Sequence, residues 1–328
     1  MIVLGRAEVR ALLDLDVLVD ALAGAMADLS AGDASAPPRV AAEVPEREGF
    51  LAAMPGYVPS VGALTTKLVS LFPRNAGTAV PTHQAVIAAF DPADGSPVAL
   101  LDGTEITAAR TAAGSALSAR LLAREDATVL AVLGTGVQAR SHARALVRVR
   151  PIAEVRVAGG DPARAEALAA ELDGELAPAV RAADSYEAAL DGAGIASATT
   201  DAVEPVVRRA WLAPGVHVTS VGFNPAGREV DDATVADALV CVESRGAVLA
   251  PPPAGSPDLI GPVRDGLVAE EALVEVGELV TGRRPGRASA EQVTLYKSVG
   301  VAVQDAAAAA LVLAAARERG AGREMDLG

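Results

Sequence analysis

Between an apolar run at 128–133 and a helical pattern at 137–147, the chain reads Gly134-Thr135-Gly136-Val137-Gln138-Ala139. A G-x-G-x-x-G/A loop between a strand and a helix constrains the fold more than any other feature here. Gly134 permits the tight turn, and Gly136 lets the backbone approach a pyrophosphate. Ala139 is small enough for close packing of helix on strand. The helix N-terminus then offers N–H groups and a favourable dipole to an anion. About 20 residues on, as a 2′-hydroxyl acceptor stands in such units, comes Asp161. Asp161 is equally placed to cap a helix opening at Pro162, and the two roles are compatible.

The surrounding pattern fits. Strand-like runs at 128–133, 154–157, 195–198, 216–221, 239–242 and 293–296 alternate with helical stretches at 137–147 and 162–172. Such alternation predicts βαβ units and a parallel sheet. The N-terminal third reads differently. One or two helices within 6–30 precede short strand-like runs at 40–44, 50–54, 63–71, 85–90 and 97–101. These predict a mixed, mostly antiparallel sheet, followed by an Ala/Leu-rich helix over 106–124. Residues 250–257, with four prolines, predict a loop, and 299–319 a closing helix.

Composition narrows the partners. Hydrophobic residues make up 51% of the 328, and the net charge is −14. An acidic chain is a poor partner for nucleic acid or an anionic membrane. Cys241 is the single cysteine, and the three histidines (His83, His142, His217) are scattered, which argues against an ordinary zinc site. The N-terminus lacks the apolar core of a signal peptide. The most apolar stretch, 299–316, is broken by Gln304 and Asp305, so a packed helix is expected rather than a span. A cytoplasmic protein is the expectation.

Of 28 basic residues only Lys67 and Lys297 are lysines, leaving 28 − 2 = 26 arginines. A GC-rich genome favours arginine codons wherever either residue serves. The two lysines are therefore candidates for places where arginine does not serve, chance being the alternative.

Several stretches together resemble the ornithine cyclodeaminase/μ-crystallin family. They are Pro37-Pro38-Arg39, Met54-Pro55-Gly56-Tyr57, Thr66-Lys67-Leu68-Val69-Ser70, Pro81-Thr82-His83-Gln84-Ala85, Ile106-Thr107-Ala108-Ala109-Arg110-Thr111-Ala112-Ala113, the glycine loop, Ala198-Thr199-Thr200 and Val293-Thr294-Leu295-Tyr296-Lys297-Ser298-Val299-Gly300. The resemblance implies an α/β protein in which a Rossmann-type parallel-sheet domain, 123–298, is inserted into an α+β substrate-binding and dimerisation domain, 1–122, to which a C-terminal helix at 299–328 returns. It implies a homodimer and hydride transfer between a nicotinamide and the α-carbon of a small imino or amino acid. NAD is the expected cofactor, with NADP left open, because Gly160 and Asp161 stand where NADP-dependent relatives often carry an arginine. The implied cofactor contacts are Thr82, Gly134, Thr135, Gly136, Val137, Gln138, Asp161, Thr199 and Ser298.

For the substrate, the resemblance implies Arg39, Lys67 and Arg110 around a carboxylate, an arginine fork being suited to bidentate capture. Lys67 is the implied catalytic residue. Alternation along 61–72 places Val61, Ala63, Thr65, Val69 and Leu71 on its face, and a lysine desolvated there has a lowered pKa suited to proton transfer. The alternatives are an edge-strand lysine that blocks aggregation, and arginines that serve as structural ion-pair partners. Asn224 is a further implied substrate contact, and it is a departure: cyclodeaminases and some related dehydrogenases carry an aspartate where this chain has Asn224. An amide hydrogen-bonds but is no carboxylate base. The expected enzyme is thus a ketimine reductase or amino-acid dehydrogenase. Its rivals are an ornithine or lysine cyclodeaminase with bound NAD, and a crystallin-like binding protein without turnover.

Overall fold

Alternation of small and branched residues along the N-terminal third produces strands with one buried and one outward face. The computed structural model describes residues 1–224, 226–251 and 254–326. Six strands, β1 (Ile2–Leu4), β2 (Val40–Val44), β3 (Gly49–Val58), β4 (Ala63–Leu71), β5 (His83–Phe90) and β6 (Pro97–Asp102), join one sheet. Its neighbours from β2 to β6 run antiparallel, and β1 lies parallel to β6. Two helices, Arg6–Leu12 and Leu15–Ala31, lie between β1 and β2 along the chain. Asp14 caps the second through the N–H groups of Asp16 and Val17. The C-terminal helix Ala302–Arg319 packs on β3 and β4. It is rich in alanine, the best helix former, and stops at Gly320 in the left-handed region.

The second sheet comprises β7 (Val129–Leu133), β8 (Glu154–Ala158), β9 (Ala179–Ala182), β10 (Ile195–Ala198), β11 (His217–Ser220), β12 (Leu239–Val242), β13 (Val274–Glu275) and β14 (Thr294–Lys297). All are parallel, in the order β13-β12-β14-β11-β10-β7-β8-β9. Alternate residues of β7 feed two separate cores: Leu130 and Val132 join one, Ala131 and Leu133 the other. A strand buried on both faces is what an apolar run without alternation dictates. A short last strand, β15 (Arg323–Glu324), pairs with β1 in the first sheet.

The chain divides into two units, Met1–Arg110 with Val301–Gly328, and Thr111–Gly300. The division falls inside the helix Gly103–Leu122 rather than after it. The strands at 195–198 and 239–242 form where the pattern places them. The very short β1, β13 and β15, and β9, carry no pattern long enough to read. Pro252 and Pro253 of the expected proline loop lie outside the described residues, as does Pro225. Among the described residues no helix is long and apolar enough to cross a membrane.

Candidate active site

In the first unit, Lys67 sits mid-strand on the inward face of β4, directly opposite Met54 on β3 and Ile87 on β5. It is 2% exposed. Its ammonium lies 2.8 Å from a carboxylate oxygen of Asp305, which the C-terminal helix presents from its first turn. Thr107 Oγ1 stands 3.5 Å away. Arg110 donates through Nε to the other Asp305 oxygen at 3.0 Å and through a terminal nitrogen to Gln304 Oε1 at 2.8 Å. Two buried cations thus share one buried anion.

The electrostatics follow from that imbalance. Burial pushes the Lys67 ammonium down to a pKa of about 8; Asp305 opposes the shift, while the Arg110 and Arg39 charges add to it. Burial alone would raise the Asp305 carboxyl, but Arg110 and Lys67 more than offset it and hold it below the ordinary range. His83, at the head of β5, feels the same cluster. Burial, then the Lys67 and Arg110 charges, push its pKa down to about 4, so its imidazole is neutral at physiological pH. Arg39, half-buried just before β2, contributes its charge to Lys67's surroundings. Lys67, Arg110 and the field of Arg39 therefore converge, whereas Asn224 belongs to the other unit. Its amide is committed within its own unit: Nδ2 donates to the Asp201 carbonyl, in the segment after β10, at 2.7 Å, and Oδ1 accepts from Ala226 N–H at 2.9 Å.

Asp305, Gln304 and Thr107 complete this cluster, and sequence reasoning did not assign them. The signal was present: Gln304 and Asp305 are the two polar residues that interrupt the apolar stretch. What was missing was their partner, since Arg110 and Asp305 lie 195 positions apart.

In the second unit the glycine loop joins β7 to the helix Val137–Leu146. Gly134 has φ +121°, and a Cβ there would stand 2.6 Å from Thr199 Oγ1, so only glycine fits. Thr199 itself is pinned, its N–H and hydroxyl both donating to the Leu133 carbonyl at 2.8 and 2.9 Å. Gly136 is the helix N-cap, with no side chain capping it, and a Cβ there would meet nothing within 4 Å. An uncapped N-terminus beside open space is what a pyrophosphate requires. Gln138 Oε1 is buried there without a protein partner, an acceptor that a hydroxyl donor such as a ribose would satisfy. Thr135 and Val137 flank Gly136, and Val137 is exposed. These residues fit a dinucleotide.

Asp161 follows β8 and caps the helix Pro162–Asp173, accepting from Ala163 and Arg164 N–H. It remains exposed, so capping leaves it accessible. Ser298, just past β14, donates to Glu243 at 2.7 Å and is buried. Thr82 lies in the first unit, where its carbonyl accepts from Phe72 N–H at 2.8 Å.

Residues 1–320 match the model of the ornithine cyclodeaminase/mu-crystallin family. The chain belongs to that family. It is 38% identical over 300 residues to ketimine reductase mu-crystallin of Mus musculus, covering 90% of this chain and 91% of that one. Among solved structures it resembles Thermococcus litoralis Δ1-pyrroline-2-carboxylate reductase in complex with NADH and L-proline, at TM-score 0.94 and 35% identity, covering 99% of this chain and 100% of the other. It also resembles an archaeal alanine dehydrogenase dimer with bound NAD, at TM-score 0.91 and 28% identity, covering 100% and 99% of the two chains.

Proposed function

We propose that this chain is an NAD(P)-dependent imine reductase acting on a small cyclic imino acid of the pyrroline-2-carboxylate class. The observation that carries the reading is the charge imbalance in the first unit: Lys67 and Arg110 against Asp305, all at most 5% exposed. A buried excess of positive charge is costly unless an anion completes it. A substrate carboxylate supplies that anion, with Arg110 and Arg39 to orient it.

When bound, the nicotinamide supplies the hydride to the α-carbon. Lys67 supplies the proton to the imine nitrogen. Asp305 keeps its ammonium charged, while burial lowers its pKa to about 8, near the pH at which proton transfer is efficient. Arg110 is held in position by Asp305 and Gln304. Among the implied contacts, Thr135, Gly136, Val137 and Gln138 would hold the pyrophosphate and Asp161 the adenosine ribose. Thr199 and Ser298 would complete the cofactor site within the second unit.

Asn224 favours reduction over cyclising deamination, because its amide is no base and is already held at both ends, by the Asp201 carbonyl and Ala226 N–H. Two copies pair through the outward face of the first sheet, where Val40, Leu51, Leu68 and Val86 are exposed side by side; a monomer mass in sedimentation equilibrium would overturn this.

The test is NAD(P)H consumption with cyclic imines that do or do not carry the α-carboxylate. Only the carboxylates should turn over. Proline formation from ornithine without net NADH change would replace this reading by a lyase.

A further inference from the structure

Lys297, the second of the two lysines, lies at the carboxyl end of β14 and is 1% exposed. Its ammonium donates to the Gly222 carbonyl at 2.8 Å and to Ser220 Oγ at 3.0 Å, and pairs with Asp258 at 2.9 Å. An ammonium has three protons, so the set is complete. Glu229 stands 3.9 Å away. The Glu229 carboxylate accepts from Thr200 N–H at 2.6 Å, Thr200 Oγ1 at 2.8 Å, Ser220 Oγ at 2.7 Å and Gly222 N–H at 2.7 Å. Asp258 accepts from the N–H groups of Glu229 and Val230 at 2.8 and 2.9 Å. Gly222 is wedged between the Thr200 carbonyl and Glu229 with no room for a Cβ.

Three buried charges therefore lash together the carboxyl ends of β10, β11 and β14. Stability alone does not call for such an arrangement, since well-packed apolar residues in place of buried ion pairs are often neutral or stabilising. Its location is the informative fact. In an open parallel sheet, dinucleotides bind across the carboxyl edge where the strand order reverses. Here the order reverses at β7, the first strand of this sheet along the chain, with β8, β9 and Asp161 on one side and β10, β11 and β14 on the other. With the pyrophosphate on the glycine loop and the adenosine ribose at Asp161, the nicotinamide half would extend over the ends that Lys297 ties.

We propose that Lys297, with Asp258 and Glu229, is a positioning residue that fixes the three strand ends beneath the nicotinamide half of the cofactor and anchors the loop carrying Asn224. Arginine does not substitute there, because a planar fork cannot spread its donors over a carbonyl, a hydroxyl and a carboxylate set around one point.

The inference rests on the cofactor reading above, and the probe separates the two. ADP-ribose contains the adenosine and pyrophosphate but no nicotinamide. Wild type, Lys297→Met and Asp258→Asn are titrated with ADP-ribose by calorimetry and with NADH by fluorescence, and turnover is measured beside both. Affinity for ADP-ribose should stay within roughly threefold of wild type, as for a site distant from the change. NADH binding should weaken by roughly 10-fold as hydrogen bonds to charged groups are lost, and kcat should fall with it. Unchanged NADH binding and turnover in a folded variant overturns the assignment. So does equal loss of both ligands in both variants, which leaves the cluster with a folding role. Failure of the wild type to bind ADP-ribose overturns the cofactor reading instead.

Discussion

The two lysines of this chain are both buried, Lys67 in mid-strand and Lys297 at the carboxyl end of an interior strand, yet their surroundings are opposite. Around Lys67, two cations share Asp305. Around Lys297, one cation meets Asp258 at 2.9 Å and Glu229 at 3.9 Å, and every proton has an acceptor. The first site lacks negative charge and holds an amine whose pKa burial brings to about 8. The second is satisfied from within. Burial by itself does not make a lysine reactive; what separates the two is whether the protein supplies the balancing charge or leaves it to a ligand.

The comparison breaks most readily at Lys67. If its amine transfers a proton, Lys67→Arg removes that function while keeping charge and approximate reach, because a guanidinium does not deprotonate in a protein. The expected loss in kcat is roughly 10²–10⁴-fold. NADH affinity should be unchanged, since the glycine loop is untouched. Near-normal turnover in Lys67→Arg would reduce Lys67 to a carboxylate anchor and erase the contrast with Lys297.

The charge balance sharpens through pH. In the reductive direction the protonated amine is required, so the rate should fall as pH rises through about 8. Asp305 raises the Lys67 pKa, so its removal lowers it, and Asp305→Asn should move the fall to lower pH. The same variant leaves Lys67 and Arg110 buried without a counter-charge. Breaking such a cluster typically costs about 3–5 kcal/mol, less here if Lys67 sheds its proton, and urea unfolding measures it. A pH–rate limb unmoved by Asp305→Asn would assign the titration to another group.

How far these sites could be read from the sequence follows the same divide. The glycine loop was legible in full because its geometry is local: a strand end, a turn with φ +121° at Gly134 and a helix start within a few residues. The inward face of Lys67 was legible because alternation is local as well. Asp305 was visible only as an interruption in an apolar helix. Its meaning depends on Arg110, which no short-range pattern connects to it. The Lys297 cluster was hidden for the same reason: Ser220, Glu229 and Asp258 converge only once parallel strands are stacked in a non-sequential order. The unit boundary was obscured because Gly103–Leu122 is one unbroken helix, so neither composition nor periodicity changes at Arg110.

The smallest expected effect concerns cofactor choice, and it tests whether the second unit's buried charges act only on geometry. If they do, selection between NADH and NADPH belongs to the exposed residues after β8 alone. Gly160 and Asp161 offer no cation to a 2′-phosphate, and Asp161 adds a negative charge. NADH should therefore be preferred. Gly160→Arg is sterically open, because a Cβ there would meet only the Tyr186 hydroxyl, at 3.9 Å. It leaves the Asp161 cap intact. A solvent-exposed arginine reaching a phosphate makes a charge-assisted hydrogen bond near the weak end of its range, which corresponds to roughly a 10-fold gain in NADPH over NADH. That gain should shrink as salt is added, because screening weakens exposed pairs. The imine KM should not change, since Arg110 and Lys67 lie in the other unit. Equal use of both cofactors by the wild type, or a Gly160→Arg enzyme with unaltered preference, would move the selecting group elsewhere.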